Sequence, residues 1–335
     1  MILDKYASIE NEFSYEGLCM ITGKLLGDGN LFQSPGRQAR LRFSHRMEDK
    51  EWTYHCYHEL KQCIPLVMPK YRKIADPRIS AGYTEHYYSQ SRNSKYFSEL
   101  MNIWYPQGKK ILPFTFLERY LNVLALAWFY QDDGCLIMKD SKIKKIILST
   151  ECFSMEENKL LAQLIYQKFH IQFSQDKQNR LLLYDQKQIL YFLHMIDPYL
   201  HSCMNRKRRL ALFLPSKLPD KRTTIKLPLS ITIKFPTEEI YQILDTLPKL
   251  LSVLKSKNGL RNLFINDYFL EDFTNTKKSY QIIIKGKQRD LLEECNFISG
   301  LNNSQITELC YRINKMNKKE ISTPLTSKIK RYQDI

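Results

Sequence analysis

The sequence predicts an α+β protein: two pseudo-symmetric αββαββα repeats packed through their first helices, followed by a small C-terminal α+β module. Three observations predict it. An apolar nonamer ending in an acid and a glycine occurs twice, as Ile21-Thr22-Gly23-Lys24-Leu25-Leu26-Gly27-Asp28-Gly29 and as Leu126-Ala127-Trp128-Phe129-Tyr130-Gln131-Asp132-Asp133-Gly134. The same order of helical and strand-like segments follows each copy, and self-similarity at a fixed period marks a duplicated unit. Near residue 216 that order ends in a stretch rich in proline and lysine.

At 335 residues the chain exceeds what one core usually supports. It divides into a first repeat (1–120), a second repeat (121–215), a linker (216–229), an accessory module (230–320) and a basic tail (321–335). After a polar lead-in over residues 1–15, the first nonamer forms a helix. Asn30–Phe32 leaves it as a strand, Gln33–Gly36 turns, and 37–44 returns as a strand with Arg40 and Arg42 on one face and Leu41 and Phe43 on the other. Residues 48–63 form an amphipathic helix, strands follow at 71–75 and 83–90, and a helix at 94–104 completes the first unit.

The second unit repeats this order. Asp28 and Asp133 lie 105 residues apart, as do Ser44 and Ser149. Strands flank the lysine-rich turn with Lys139, Lys142, Lys144 and Lys145. Ser154 with Glu157 three residues later is a capping box opening a helix to about Phe169. Strands near 170–174 and 180–184 and a helix near 186–196 follow. In the module the pattern predicts a strand at 231–235, a helix from Thr237, a strand at 280–284 and helices at 288–295 and 304–316.

Composition narrows the function classes. Fifty-one basic residues against 35 acidic ones give a net charge of +16 and a pI near 9.3, a balance suited to nucleic acid or an anionic surface. Twenty-one Tyr and 17 Phe supply a core, which excludes a disordered chain. No apolar run reaches the roughly 18–20 residues of a membrane span, and no signal-peptide pattern opens the chain. The expectation is a cytoplasmic protein that avoids membranes, of bacterial, phage or organellar coding. Eight cysteines without a CxxC pair read as reduced thiols. His55 and His58 stand three apart on a helix without a further ligand at metal spacing, so they read as surface or core histidines.

The nonamers carry the chemistry. Acids at the C-terminal end of an apolar helix oppose the helix dipole, and their usual compensator is a divalent cation. Small residues at Thr22, Gly23, Gly27, Ala125 and Ala127 allow two such helices to approach closely. One apolar helix ending in Asp-Gly is an ordinary helix stop; two in register are not.

These paired nonamers resemble the motifs of the LAGLIDADG homing endonucleases, closely in the second copy (Leu126-Ala127 and Asp132-Asp133-Gly134) and at the Gly27-Asp28-Gly29 end of the first. The resemblance implies that the two helices pack side by side, each delivering one acid to a metal site at their shared end. The implied site comprises Asp28 and Asp133 as ligands, with Gly27 and Asp132 at the penultimate positions completing the metal set. A family lysine after the third helix matches Lys110 in Lys109-Lys110-Ile111-Leu112-Pro113, and its late counterpart matches Lys207, with Arg206 competing for that position. Ser44 and Ser149 fall where the family places longer polar residues. The implied cofactor is Mg²⁺, with Mn²⁺ substituting. The implied partner is double-stranded DNA, held as a long non-palindromic site by a monomer. Arg37, Arg40, Arg42, Lys70, Arg72, Lys142, Lys144, Lys145 and Arg180 are the expected DNA contacts. The implied activity is site-specific, metal-dependent double-strand cleavage; the alternative is an intron RNA maturase or a non-cleaving DNA-binding regulator on the same fold.

Overall fold

A computed structural model describes residues 6–139, 142–209, 222–256, 258–265 and 276–320. It divides between Leu210 and Ala211 into two compact units. The expected tail at 321–335 lies outside the described residues.

The first unit opens with α1 (Ala7–Glu12), where a polar lead-in was expected. Tyr6, Ile9 and Phe13 are each buried, so this short segment closes the core. Ser14 then caps α2 (Tyr15–Leu26), its hydroxyl accepting from the Gly17 N–H. Every residue of α2 from Gly17 to Leu26 is buried, as expected of a helix apolar all round. β1 (Gly29–Phe32) and β2 (Arg40–Arg46) pair antiparallel. α3 (Lys50–Leu60), β3 (Leu66–Ala75), β4 (Tyr83–Ser91) and α4 (Lys95–Trp104) follow, giving a sheet of order β1-β2-β4-β3.

A short α5 (Phe114–Tyr120), absent from the sequence expectation, leads into α6 (Val123–Asp133), capped by Asn122. The second half repeats the first: β5 (Gly134–Lys139), β6 (Lys142–Leu148), α7 (Met155–Phe169), β7 (Ser174–Gln175), β8 (Leu181–Leu183) and α8 (Gln186–Ile196). Its sheet has the matching order β5-β6-β8-β7. The Ser154–Glu157 capping box forms as its sequence predicts.

α2 and α6 pack against each other at distances only glycine permits. A Cβ on Gly23 would stand 2.6 Å from both the Ala125 carbonyl and the Trp128 Cβ, and one on Gly27 would stand 2.5 Å from the Asp132 Cβ. The glycines ending the nonamers have a different reason. A Cβ on Gly29 would meet the Lys24 carbonyl at 2.5 Å, and one on Gly134 the Tyr130 ring at 2.1 Å. In each half the chain folds back over the helix end to start its strand.

The second unit has its own core, including Ile225, Leu227, Ile240, Leu250, Leu292 and Ile306. Residues 222–228, expected in the linker, instead form β9 (Arg222–Pro228), paired antiparallel with β10 (Lys277–Ile283). Its alternating Thr223, Ile225 and Leu227 supply an inward face that the prolines around it obscured. Residues 231–235, expected as a strand, make no ladder; Ile231 and Ile233 are buried as loop anchors. α9 (Pro236–Leu244), α10 (Leu247–Lys255), α11 (Gly259–Leu263), α12 (Gly286–Ser299) and α13 (Asn303–Glu320) complete the unit. Among the described residues no helix is long and apolar enough to cross a membrane.

Candidate metal centre and nucleic-acid interface

The two nonamer acids meet at one end of the α2–α6 pair, as their register requires. Asp28 follows the C-cap Gly27, and Asp133 is the last residue of α6. Asp133 is pushed up to about 7, first by burial and then by the negative charges of Asp28 and Asp132. Asp28 is also raised to about 7, by its surroundings and then by Asp132, although 38% of its side chain remains exposed.

Asp132 has a different part. Its carboxylate is wholly buried and accepts from the Lys24 ammonium at 2.7 and 2.9 Å, from the Trp52 indole N–H at 2.7 Å and from the Asp28 backbone N–H at 3.1 Å. Burial alone would raise its pKa, but Lys24 and His45 outweigh that and hold it well below the ordinary value. For Lys24, burial opposes the charge and Asp132 more than restores it. This ammonium can only donate, so His45 Nε2, 2.9 Å away, accepts. The His45 proton therefore sits on Nδ1 and is donated to Thr53 Oγ1 at 2.8 Å. Burial first, and then the Lys24 charge, lower His45 to about 4.

Asp132, expected in the metal set, is already engaged by the chain's own groups. Asp28, His45 and Asp132 do bring ligand-type atoms within 4.8 Å of one another. An ammonium already lies within 2.9 Å of both Asp132 and His45, so a divalent ion there would face a buried positive charge. The cation compensating the acid at the end of α6 is, for Asp132, the chain's own Lys24. That leaves Asp28 and Asp133. Both offer only oxygen, and their raised pKa values mark carboxylates short of positive charge, so the pair fits a hard cation such as Mg²⁺.

The lysines also separate. Lys207, buried, donates to the carbonyls of Tyr130 (3.3 Å), Gln131 (2.5 Å) and Asp132 (3.0 Å) at the end of α6, the first of which also accepts from the Gly134 N–H. All three of its protons are thereby used, and it reaches the acids through its charge alone. Its neighbour Arg206 turns outward to Asp49 at 2.8 Å. Among the described residues Lys110 donates only to the Gly29 carbonyl, at 3.2 Å. Burial lowers its pKa, opposed by Cys152 and the carboxylates of Asp133, Asp132 and Asp28. Of the two lysines it is the one with protons to offer a ligand. Among the described residues the buried Ser44 hydroxyl has no hydrogen-bond partner, while the Ser149 N–H donates to the Asp133 carbonyl at 2.9 Å.

The basic residues of the first sheet gather on one face. Strand register sets Arg42 opposite Gln90, Lys70 opposite Tyr88 and Arg72 opposite His86, on the face away from buried Leu41, Phe43 and His45. Arg40 and Arg42 stack over Phe32 at 5.2 and 4.7 Å, and Arg72 over Tyr88 at 5.0 Å. The Nε atoms of Arg42 and Arg72 are buried without a hydrogen-bond partner among the described residues. Burial, then Arg40 and Arg72, lower the Arg42 pKa. Arg37 lies in the turn before β2, off the sheet.

The second sheet does not match it. Lys145 shares a face with Ile137 and Ile147, and Lys144 stands exposed at a bulge. The side chain of Lys142 lies outside the described ones. Arg180, expected on DNA, is bound to Asp176 at 2.7 Å within the β7–β8 turn. His55 and His58 line an open recess of about 530 Å³ with His201, which stacks on His55 at 4.5 Å.

What sequence reading missed is the trio His45, Trp52 and Lys24. A lysine at the fourth position of an apolar nonamer and an acid at the seventh of its partner were the available signal.

The duplicated sheets, the crossed motif helices and the acids at their shared end define a protein of the homing-endonuclease type. The sequence profile of the LAGLIDADG DNA endonuclease family matches residues 18–198, and the chain belongs to that family. It is similar to an uncharacterized protein of Methanocaldococcus jannaschii, 29% identical over 199 residues (56% of this chain, 72% of that one). It is also similar to the DNA endonuclease I-ChuI of Chlamydomonas applanata, 31% identical over 40% of this chain and 64% of the other. A cytochrome b mRNA maturase of Saccharomyces cerevisiae is 26% identical over 57% of this chain, which spans 46% of that protein. Among solved structures, the homing endonuclease I-WcaI bound to its DNA recognition sequence superposes with a TM-score of 0.52 at 19% identity, over 62% of this chain and 92% of the other. That likeness establishes the shared α+β fold.

Proposed function

We propose that the protein is a site-specific, divalent-metal-dependent DNA endonuclease that acts as a monomer on a long, non-palindromic duplex, one motif acid serving each strand. The observation that carries this reading is the placement of Asp28 and Asp133 at one end of the α2–α6 pair, where burial and the charge of neighbouring acids raise both. Asp28 and Asp133 would hold Mg²⁺ (or Mn²⁺), with Gly27 contributing only main chain. A cation there would activate water and stabilise charge on the phosphate oxygens. The chain's own groups do the rest. Lys110 offers protons to an incoming phosphate oxygen. Lys207 secures the end of α6 and lends positive charge to Asp133 and Asp28. Arg40, Arg42, Lys70 and Arg72 neutralise backbone phosphates or read base edges from the first sheet, while Lys144, Lys145 and Lys142 serve the second. Arg37 reaches DNA from the turn beside β2.

The test is cleavage of a pool of randomised duplex DNA in Mg²⁺, with cut ends sequenced, for the native chain beside Asp28→Asn and Asp133→Asn. A defined staggered cut lost in both variants is the expected result. A second reading, binding and splicing support for an intron RNA, draws on the similarity to yeast mRNA maturases. Salt-sensitive binding of structured RNA with no DNA cleavage, unchanged in both variants, would replace the endonuclease by that reading.

A further inference from the structure

The two motif acids are held by different devices. In a continued α2 the Asp28 N–H would reach the Lys24 carbonyl, four residues back. Instead the helix closes with the Gly27 N–H on Gly23, at 3.1 Å, and the Asp28 N–H turns across the helix pair to Asp132 Oδ2, also at 3.1 Å. The carboxylate reaches it because Gly27 has no side chain where Asp132 stands. Lys24 and Trp52 hold the other side of that carboxylate, and Lys24 is in turn fixed by His45. In the second half, the residues matching Lys24 and Gly27 are Phe129 and Asp132, 105 positions on. No equivalent latch can form there. Asp133 is held through its own carbonyl by the Ser149 N–H, and through the preceding carbonyls by Lys207.

Stability does not explain such a pair, because a buried ion pair replaced by apolar groups of similar size is often neutral or more stable. We infer that Lys24 and Asp132 form a latch that positions Asp28 for its cation, so that losing it disables the first-half centre while sparing the second. Lys24, Asp132, Trp52 and His45 are thus positioning residues. The inference rests on the reading that Asp28 and Asp133 each serve one strand.

The decisive variant is Lys24→Leu/Asp132→Ala in the full chain, which removes both charges together and avoids the unpaired buried charge that either single change leaves. On its cleavage site, the latch requires that this variant cut one strand about 10–100-fold more slowly and accumulate nicked duplex, the range expected when an outer-shell partner is lost. Calcium titrated calorimetrically into the protein–DNA complex should show one of two binding events weakened by the same factor. Lys24→Met/Asp132→Asn retains a side-chain oxygen facing the Asp28 N–H, and should restore cutting of the slow strand. Equal slowing of both strands with no rescue by the asparagine variant would mean a merely structural pair and overturn the latch. So would native cutting and a native calcium isotherm in the leucine/alanine variant. A native chain that cuts no DNA and binds no calcium would overturn the endonuclease reading itself, and the latch with it.

Discussion

If the close crossing of α2 and α6 fixes the acids, Gly23→Ala tests it directly. Alanine in place of glycine inside a helix favours folding by about 0.5–1 kcal/mol through propensity alone. Here the new methyl would lie 2.6 Å from the Ala125 carbonyl oxygen and 2.6 Å from the Trp128 Cβ, well inside ordinary contact. One obstacle is backbone and the other the first atom of a fully buried side chain, so neither yields by rotation. Relief requires the helices to part, at the cost of about 1–3 kcal/mol typical of overpacking. The net expectation is a loss of about 1–2 kcal/mol and a displacement of Asp28 from Asp133. Trp52, Trp104 and Trp128, the only three tryptophans, all lie in the first unit. Tryptophan fluorescence in a urea titration therefore reports on that unit alone. Gly17→Ala is the reference: its methyl would meet the Cys63 Cβ and Sγ and the Ser14 Oγ at 3.1 Å, where a neighbour need give by only a few tenths of an ångström. A Gly23→Ala chain more stable than the native one by the propensity gain would refute the argument, because the helices would then have room to spare.

Other consequences follow from the same site. Asp28 and Asp133, at about 7, stay protonated in the folded chain over a range where the unfolded chain, with Asp near 3.9, has ionised them. The folded state then binds more protons, so their contribution falls as pH rises from about 4 to 7. In EDTA, urea midpoints should drop across that window, less steeply in Asp28→Asn/Asp133→Asn; an equal slope in both proteins would count against the assignment. Lys207→Met takes the Lys207 donor from the Gln131 and Asp132 carbonyls at the end of α6 and should cost about 1–3 kcal/mol in the same fluorescence assay. Arg42→Gln and Arg72→Gln should each lower the salt slope of DNA binding by about one where they meet a phosphate, measured by anisotropy. Arg180→Gln should leave that slope unchanged, since Asp176 already holds the guanidinium.

The duplication, the helix–strand order of both halves and the register of Asp28 with Asp133 were legible in the sequence. Local rules govern each: periodicity for α2, α6 and the strands, the Ser154–Glu157 box for α7, and one repeat reading the other. The short α1 and α5 escaped because their apolar residues are too few to show a period. β9 was hidden among prolines, and 231–235 looked like a strand but found no neighbour to pair with. Tertiary structure alone decided how the charged groups divide their work. Asp132 and Lys24 are 108 residues apart, and only helix packing reveals that they neutralise each other. Lys110 and Lys207, equivalent by position, differ because three helix-end carbonyls consume one of them. The sequence determined which groups come to the end of the helix pair. Their pKa values, donors and remaining valences depend on desolvation and on partners distant in the chain, and the packed fold alone brings those together.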